Sequence, residues 1–200
     1  MAVRRLILAA ALLGALALAG CDRAGVAPAG FKAIDITGAE YAQGFDLPDA
    51  KGQRRTLADF KGRVVVVFFG FTHCPDVCPT TMIELAEVKK ALGADGDRVQ
   101  GIFITVDPER DTADLLRPYV TNFDPGFVAL RGTPEETAAL AKSFKVFYAK
   151  VPGRTEGNYT IDHTAASFVF DPQGKIRLYT RYGSGAESLK SDLKLLLDGR

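Results

Sequence analysis

The feature that most constrains this chain is a run of six β-branched or aromatic residues, Val64 to Phe69, which ends at Gly70 and leads directly into a loop holding two cysteines. Such a run suits a strand covered on both faces, because neither alternate set of side chains then meets water. After the loop, Met82, Leu85, Val88 and Leu92 recur on one face of a helix over about 80–92. Thr81 and Glu84 are spaced as a capping box, and Gly93 suits the C-terminal end. Strand, loop and amphipathic helix in succession make a β–loop–α unit, and the rest of the chain must supply its partners.

Those partners follow in order. Gly101 to Val106 reads as a second buried strand, followed by Asp107-Pro108-Glu109-Arg110-Asp111 and a helix with Leu115, Leu116, Tyr119, Val120 and Phe123 on one side and Pro118 inside it. A short strand over Phe127 to Leu130 precedes Thr133-Pro134-Glu135-Glu136, which starts a helix over about 134–144 with a capping box and proline at its first position. Residues 145–160 read as extended and irregular. Ala165–Phe170 and Lys175–Tyr182 flank Asp171-Pro172-Gln173-Gly174 as a hairpin, and Ser188 to Leu197 closes the chain as an amphipathic helix. Near the start of the domain, Phe45–Leu47 and Arg54–Leu57 flank Asp49-Ala50-Lys51-Gly52 as another hairpin. This element order resembles an α/β thioredoxin-like fold with an N-terminal β-hairpin extension and a C-terminal hairpin plus helix. In that fold the loop before the 165–170 strand faces the cysteine loop. Thioredoxins carry a proline there, and none occurs between Gly153 and Asp171.

Composition narrows the function classes. With Lys+Arg 25 against Asp+Glu 24 the chain has no basic excess, which argues against a nucleic-acid partner. Arg4 and Arg5 followed by the apolar stretch Leu6 to Ala19 read as an export signal, too short for the roughly 20 residues of a spanning helix. The alternative is a permanent short anchor. Leu18-Ala19-Gly20-Cys21 resembles a bacterial lipoprotein processing box, which implies a signal peptide over 1–20 and lipidation of Cys21. Asp22 at the next position implies retention at the inner membrane, and hence a lipid-anchored protein on its periplasmic side. Residues 21–43, rich in Gly, Ala and Pro, read as a flexible tether, with the domain over 44–200.

Of three cysteines, lipidation of Cys21 leaves Cys74 and Cys78 as each other's only partners. They sit where a strand gives way to a helix, a position that favours thiolates. At i,i+4 spacing their Cα atoms lie roughly 6 Å apart, so the pair can oxidise or hold a metal. Two thiolates select Cu(I) or zinc. A third ligand has to come from His73 or His163, the two histidines of the chain. His73 is too close to Cys74 to turn its ring onto the same ion and reads as an exposed loop residue. His163, in Asp162-His163-Thr164 opposite the cysteine loop, is the better candidate.

Phe71-Thr72-His73-Cys74-Pro75-Asp76-Val77-Cys78-Pro79, Val106-Asp107-Pro108-Glu109-Arg110-Asp111-Thr112 and Asp162-His163-Thr164 together resemble the three motifs of the Sco/SenC family, over about 44–199. The resemblance implies a copper site made by Cys74, Cys78 and His163, holding Cu(I) and, through the imidazole, Cu(II). It also implies a metallochaperone that takes copper from a periplasmic donor and serves the CuA-bearing subunit of cytochrome c oxidase. Asp76 and Asp162 are candidates for supporting the ligands, Asp76 by tuning thiolate charge and Asp162 by orienting His163. The 107–111 segment reads either as a loop beside the site or as the start of a helix at Asp111 and Thr112.

Delivery of copper requires no chemical turnover, so the chain need not be an enzyme. The alternatives are a thiol–disulfide oxidoreductase that keeps the oxidase's copper-binding cysteines reduced, and a redox sensor. Peroxide reduction is disfavoured because Phe71 stands where the peroxiredoxin pattern has threonine. The lipid-anchor reading is tested at the N-terminus. Cys21→Ser should abolish lipid attachment while the domain still folds, as mass spectrometry of the mature chain would report. A wild-type chain beginning unmodified at residue 1 or 2 would refute it.

Overall fold

The computed structural model describes residues 30–155 and 158–200, and Phe31–Arg200 form one unit. The export signal, the lipoprotein box with Cys21 and the first part of the expected tether lie outside the described residues. The apolar run becomes strand β4, Val64–Gly70, every residue of which is buried. It lies at the middle of a six-stranded sheet of order β1-β10-β9-β4-β5-β6, formed by β1 (Ile34–Asp35), β5 (Val99–Thr105), β6 (Val128–Leu130), β9 (Ala166–Phe170) and β10 (Ile176–Arg181). β4 runs parallel to β5 and antiparallel to β9. Alternation along β4 divides its side chains between two layers. On one face Gly70 meets helix α1 (Val77–Ala91) at Cys78, and α1 packs beside α4 (Ala186–Leu197). On the other, Phe69 stacks edge-on against Phe144, 5.1 Å between ring centroids, and Phe144 stacks in turn on Phe168. The N-terminal hairpin of β2 (Asp46–Pro48) and β3 (Arg54–Thr56) and the C-terminal hairpin of β9 and β10 are both as expected, in the thioredoxin-like arrangement.

Helix boundaries differ from the expectation in ways with clear causes. α1 begins at Val77 rather than near residue 80, because Pro79 falls in its first turn, where the missing N–H breaks no helical hydrogen bond. Thr81 is therefore inside the helix, its hydroxyl donating to the Val77 carbonyl at 2.8 Å, and makes no capping box with Glu84. In α2 (Ala113–Thr121) Leu116 and Val120 are buried but Leu115 is 47% exposed; its neighbour Leu116 takes the core side. α3 (Pro134–Ser143) begins as expected, with Glu136 N–H donating to Thr133 Oγ1 and Thr133 N–H to Glu136 Oε2.

Two larger corrections concern segments expected to lack structure. The stretch expected to be irregular forms a separate two-stranded sheet of β7 (Tyr148–Pro152) and β8 (Tyr159–His163). His163 is the last residue of β8, paired with Tyr148, rather than part of a loop before a strand. The expected tether over 21–43 is, from Phe31 onward, part of the domain. β1 pairs with β10, Ala42 is fully buried, and both carboxylate oxygens of buried Asp192 on α4 accept from the chain, Oδ1 from Lys32 N–H and Oδ2 from Ala33 N–H, each at 2.7 Å. The buried Asp192 carboxylate, which would otherwise lack donors, is thereby satisfied by main chain 160 residues away. Asp192→Ala should remove both charge-assisted hydrogen bonds that tie the segment to α4, cost about 1–3 kcal/mol and lower the melting temperature by several degrees. An unchanged melting curve would show that residues 31–43 do not fold with the domain.

Candidate metal centre

β4 and β5 are in register through Gly70 and Thr105, and Val106 N–H donates to the Gly70 carbonyl at 2.8 Å, so the loops after both strands leave the sheet side by side. Gly70 is required by a close approach. A Cβ there would lie 3.0 Å from Cys78 Sγ and under 3.0 Å from the rings of Phe68 and Phe103. The second loop grips the first through Asp111, whose side chain is fully buried. Its carboxylate accepts from Thr72 N–H at 3.0 Å, from Thr72 Oγ1 at 2.6 Å and from Thr105 Oγ1 at 2.6 Å. Thr72 lies two residues before Cys74, so this network sets where the cysteine loop begins. Both readings of the 107–111 segment hold in part: Thr112 is the N-cap of α2, while Asp111 belongs to the floor of the cysteine loop.

Cys74 lies in the loop, half-buried, and Cys78 is the second residue of α1 and fully buried. Cys78 N–H donates to Cys74 Sγ at 3.3 Å, and Cys78 Sγ lies 3.4 Å from His163 Nε2. The other imidazole nitrogen, Nδ1, faces the Thr164 carbonyl at 3.2 Å. A carbonyl can only accept, so this contact places the proton on Nδ1 and leaves the Nε2 lone pair turned to the sulfurs. The rings of Phe68 and Phe71 meet the imidazole edge-on at 5.9 and 5.8 Å and wall off that side from water. One donor atom from each of Cys74, Cys78 and His163 lies within 4.8 Å of the other two. Donors about 2.3 Å from a common ion in a trigonal plane sit about 4 Å apart, so the three need to move little to share one.

The two thiols are electrostatically unequal. The thiol proton of Cys78, shared with Cys74, together with the N–H groups of Cys78 and Asp76, outweighs burial and brings Cys74 down to about 4. Donating to Cys74, reinforced by burial, pushes Cys78 far above the usual thiol range. At neutral pH the pair therefore carries one proton, and Cys74 is the thiolate.

The structure brings together all three expected ligands and separates the other candidates from them. His73 is exposed, its Nδ1 3.1 Å from Thr72 Oγ1, as its loop position suggested. Asp76 is an exposed N-cap residue that acts on Cys74 through its amide; its carboxylate accepts from Thr80 at 3.4 Å. Asp162 does not orient His163. Strand alternation points it outward, and the backbone carbonyl of Thr164 takes that role. Sequence reasoning also missed Gly70, Thr72, Thr105 and Tyr119. The Tyr119 hydroxyl is buried without a hydrogen-bond partner among the described residues, and burial, with the negative charge of the nearby cysteine pair, pushes its pKa up. A groove of about 370 Å³ between the β2–β3 turn and α2, lined by Arg55, Arg117 and Phe127, includes none of the three ligands.

Known proteins resemble the chain in both sequence and structure. The SCO1/SenC family model matches residues 35–198. The mouse protein named Protein SCO2 homolog, mitochondrial, is 38% identical over 152 residues, 75% of this chain and 60% of that protein's length. Bradyrhizobium japonicum ScoI, solved with copper bound, is 42% identical with a TM-score of 0.69, over 77% of this chain and 98% of that one. BsSco, described as a member of the Sco family of cytochrome c oxidase assembly proteins with a disulfide switch, is 25% identical with a TM-score of 0.62, over 84% of this chain and 99% of that one. From the match of the family model across nearly the whole described domain, the chain belongs to the SCO1/SenC family.

Proposed function

We propose that this protein is a copper metallochaperone that binds Cu(I) through Cys74, Cys78 and His163 and delivers it to the CuA-bearing subunit of cytochrome c oxidase. The observation that carries the reading is the convergence of two sulfurs and one imidazole nitrogen within 4.8 Å. The donor set is soft and suits Cu(I), whereas a structural zinc site would take a fourth ligand. The copper bound to ScoI and the assembly role described for BsSco support the same reading. Cys74, already a thiolate and half-exposed, makes the first bond to incoming copper. Cys78 gives up its proton as the ion settles, and His163 closes the third side with its Nε2 lone pair. Transfer begins by ligand exchange at Cys74, the more exposed of the two sulfurs. Lipidation at Cys21 would hold the domain on the periplasmic side of the inner membrane, and among the described residues no helix is long and apolar enough to cross one.

A second reading, thiol–disulfide exchange with the oxidase's cysteines, is favoured by one feature: an accessible low-pKa thiolate with a buried partner beside it. Copper stoichiometry measured alongside the reduction potential separates the two roles.

Two outcomes test the copper site. His163→Ala should weaken Cu(I) binding about tenfold or more, at least about 1.4 kcal/mol, and remove the nitrogen shell from X-ray absorption spectra, while His73→Ala changes neither. Loss of that shell in His73→Ala instead would overturn the ligand set. Loading with Cu(I) at neutral pH should release about one proton per ion, from Cys78, because Cys74 is already ionised. Release of two would show that both thiols start protonated.

A further inference from the structure

We infer that Asp107, Arg110 and Tyr159 form a clamp that positions His163, holding the two-stranded arm that carries it against the loop beside the cysteines. The inference rests on the ligand set proposed above and explains how its third member is kept in place. β7 and β8 form a sheet of their own, outside the six-stranded sheet, and a two-stranded hairpin alone is marginally stable. At the root of the arm Thr164 N–H donates to the Phe147 carbonyl at 2.9 Å and Phe147 N–H donates to Thr164 Oγ1 at 3.0 Å. Along β8, Tyr159, Ile161 and His163 share the inward face, and Thr160 and Asp162 point out. Ile161 is buried in the core, and Tyr159, about 13 Å from His163 along the strand, carries the polar contacts.

Those contacts converge on a buried carboxylate. Asp107 is 1% exposed; its Oδ1 accepts from the Tyr159 hydroxyl at 2.8 Å and its Oδ2 from Arg110 Nε. Arg110 Nη1 donates to the Tyr159 carbonyl at 2.8 Å, and its guanidinium lies 3.6 Å from the centre of the Tyr159 ring. The clamp stands on a rigid base, since Asp107 N–H donates to Thr105 Oγ1 at 2.9 Å and Arg131 donates twice to the Pro108 carbonyl. A buried charge with its partners in place resists opening, because each lost contact leaves a desolvated carboxylate short of a donor. The same 107–111 loop thus holds the cysteine loop through Asp111 and the histidine arm through Asp107 and Arg110.

A double-mutant cycle tests this on the whole protein. Tyr159→Phe removes the hydroxyl, and Arg110→Lys keeps the charge but loses the fork and the stacking; Thr160→Ala, outward on the same strand, is the control. Tyr159→Phe and Arg110→Lys should each weaken Cu(I) binding about tenfold, as loss of a ligand's supporting contacts does, and reduce the nitrogen shell, and Thr160→Ala should do neither. In a His163→Ala background neither should weaken binding further, since they act through the imidazole. An equal loss in both backgrounds would overturn the clamp by showing that these residues act on the thiols or the fold. Wild-type affinity and an intact nitrogen shell in both Tyr159→Phe and Arg110→Lys would overturn it too. Should His163→Ala itself bind like wild type, the ligand set fails first and the clamp with it.

Discussion

Parallel pairing of β4 and β5 brings Gly70 and Thr105 level at the C-terminal end of the two strands, and the rest of the site depends on that register. A shift of one residue would turn every side chain of one strand to its other face. It would also carry Thr105 out of reach of Asp111, which holds Thr72 and so the start of the cysteine loop. Every residue of the two strands is buried, β4 with only apolar side chains and β5 with Gln100 and Thr105 as its polar ones, which makes the pairing expensive to disturb. The polar network at its end inherits that rigidity. Cys74, Cys78 and His163 come from a loop, a helix and a separate sheet, yet they meet because all three are referenced to the end of this one strand pair.

What could be seen in the chain beforehand was mostly local. The apolar run of β4, the capping box at Thr133 and Glu136, the proline-glycine turn before β10 and the cysteine pair each declare themselves within a few residues. What could not be seen depends on distant partners. Strand β8 alternates in and out only once the domain supplies a core for Ile161 and a carboxylate for Tyr159; as a string, Tyr-Thr-Ile-Asp-His is ambiguous. The N-terminal segment looks like linker because its anchor, Asp192, lies on a helix at the far end of the chain. The orienting acceptor for His163 is a backbone carbonyl, which no residue type encodes, so the adjacent Asp162 was the natural and mistaken choice. Pro79 misled for the opposite reason: it reads as a helix breaker and sits where a helix tolerates it best.

The inequality of the two thiols follows from their placement. One sulfur receives amide hydrogen bonds in a half-open loop, and the other is enclosed at the first turn of a helix. A symmetric pair would share its remaining proton equally between the two sulfurs and offer an incoming soft metal no preferred point of entry. Here one side is ready and the other is reserved.

Gly70 adds a direction to this arrangement. The sulfur of Cys78 rests on a stretch of main chain with no side chain, ringed by Phe68 and Phe103, so nothing can approach it from beneath. With Cys74 half-exposed and Cys78 fully buried, a competing thiolate meets the Cys74 side first. In the proposed exchange the bond to Cys74 is accordingly the first to be replaced and the bond to Cys78 the last to break, so the ion leaves by the way it entered.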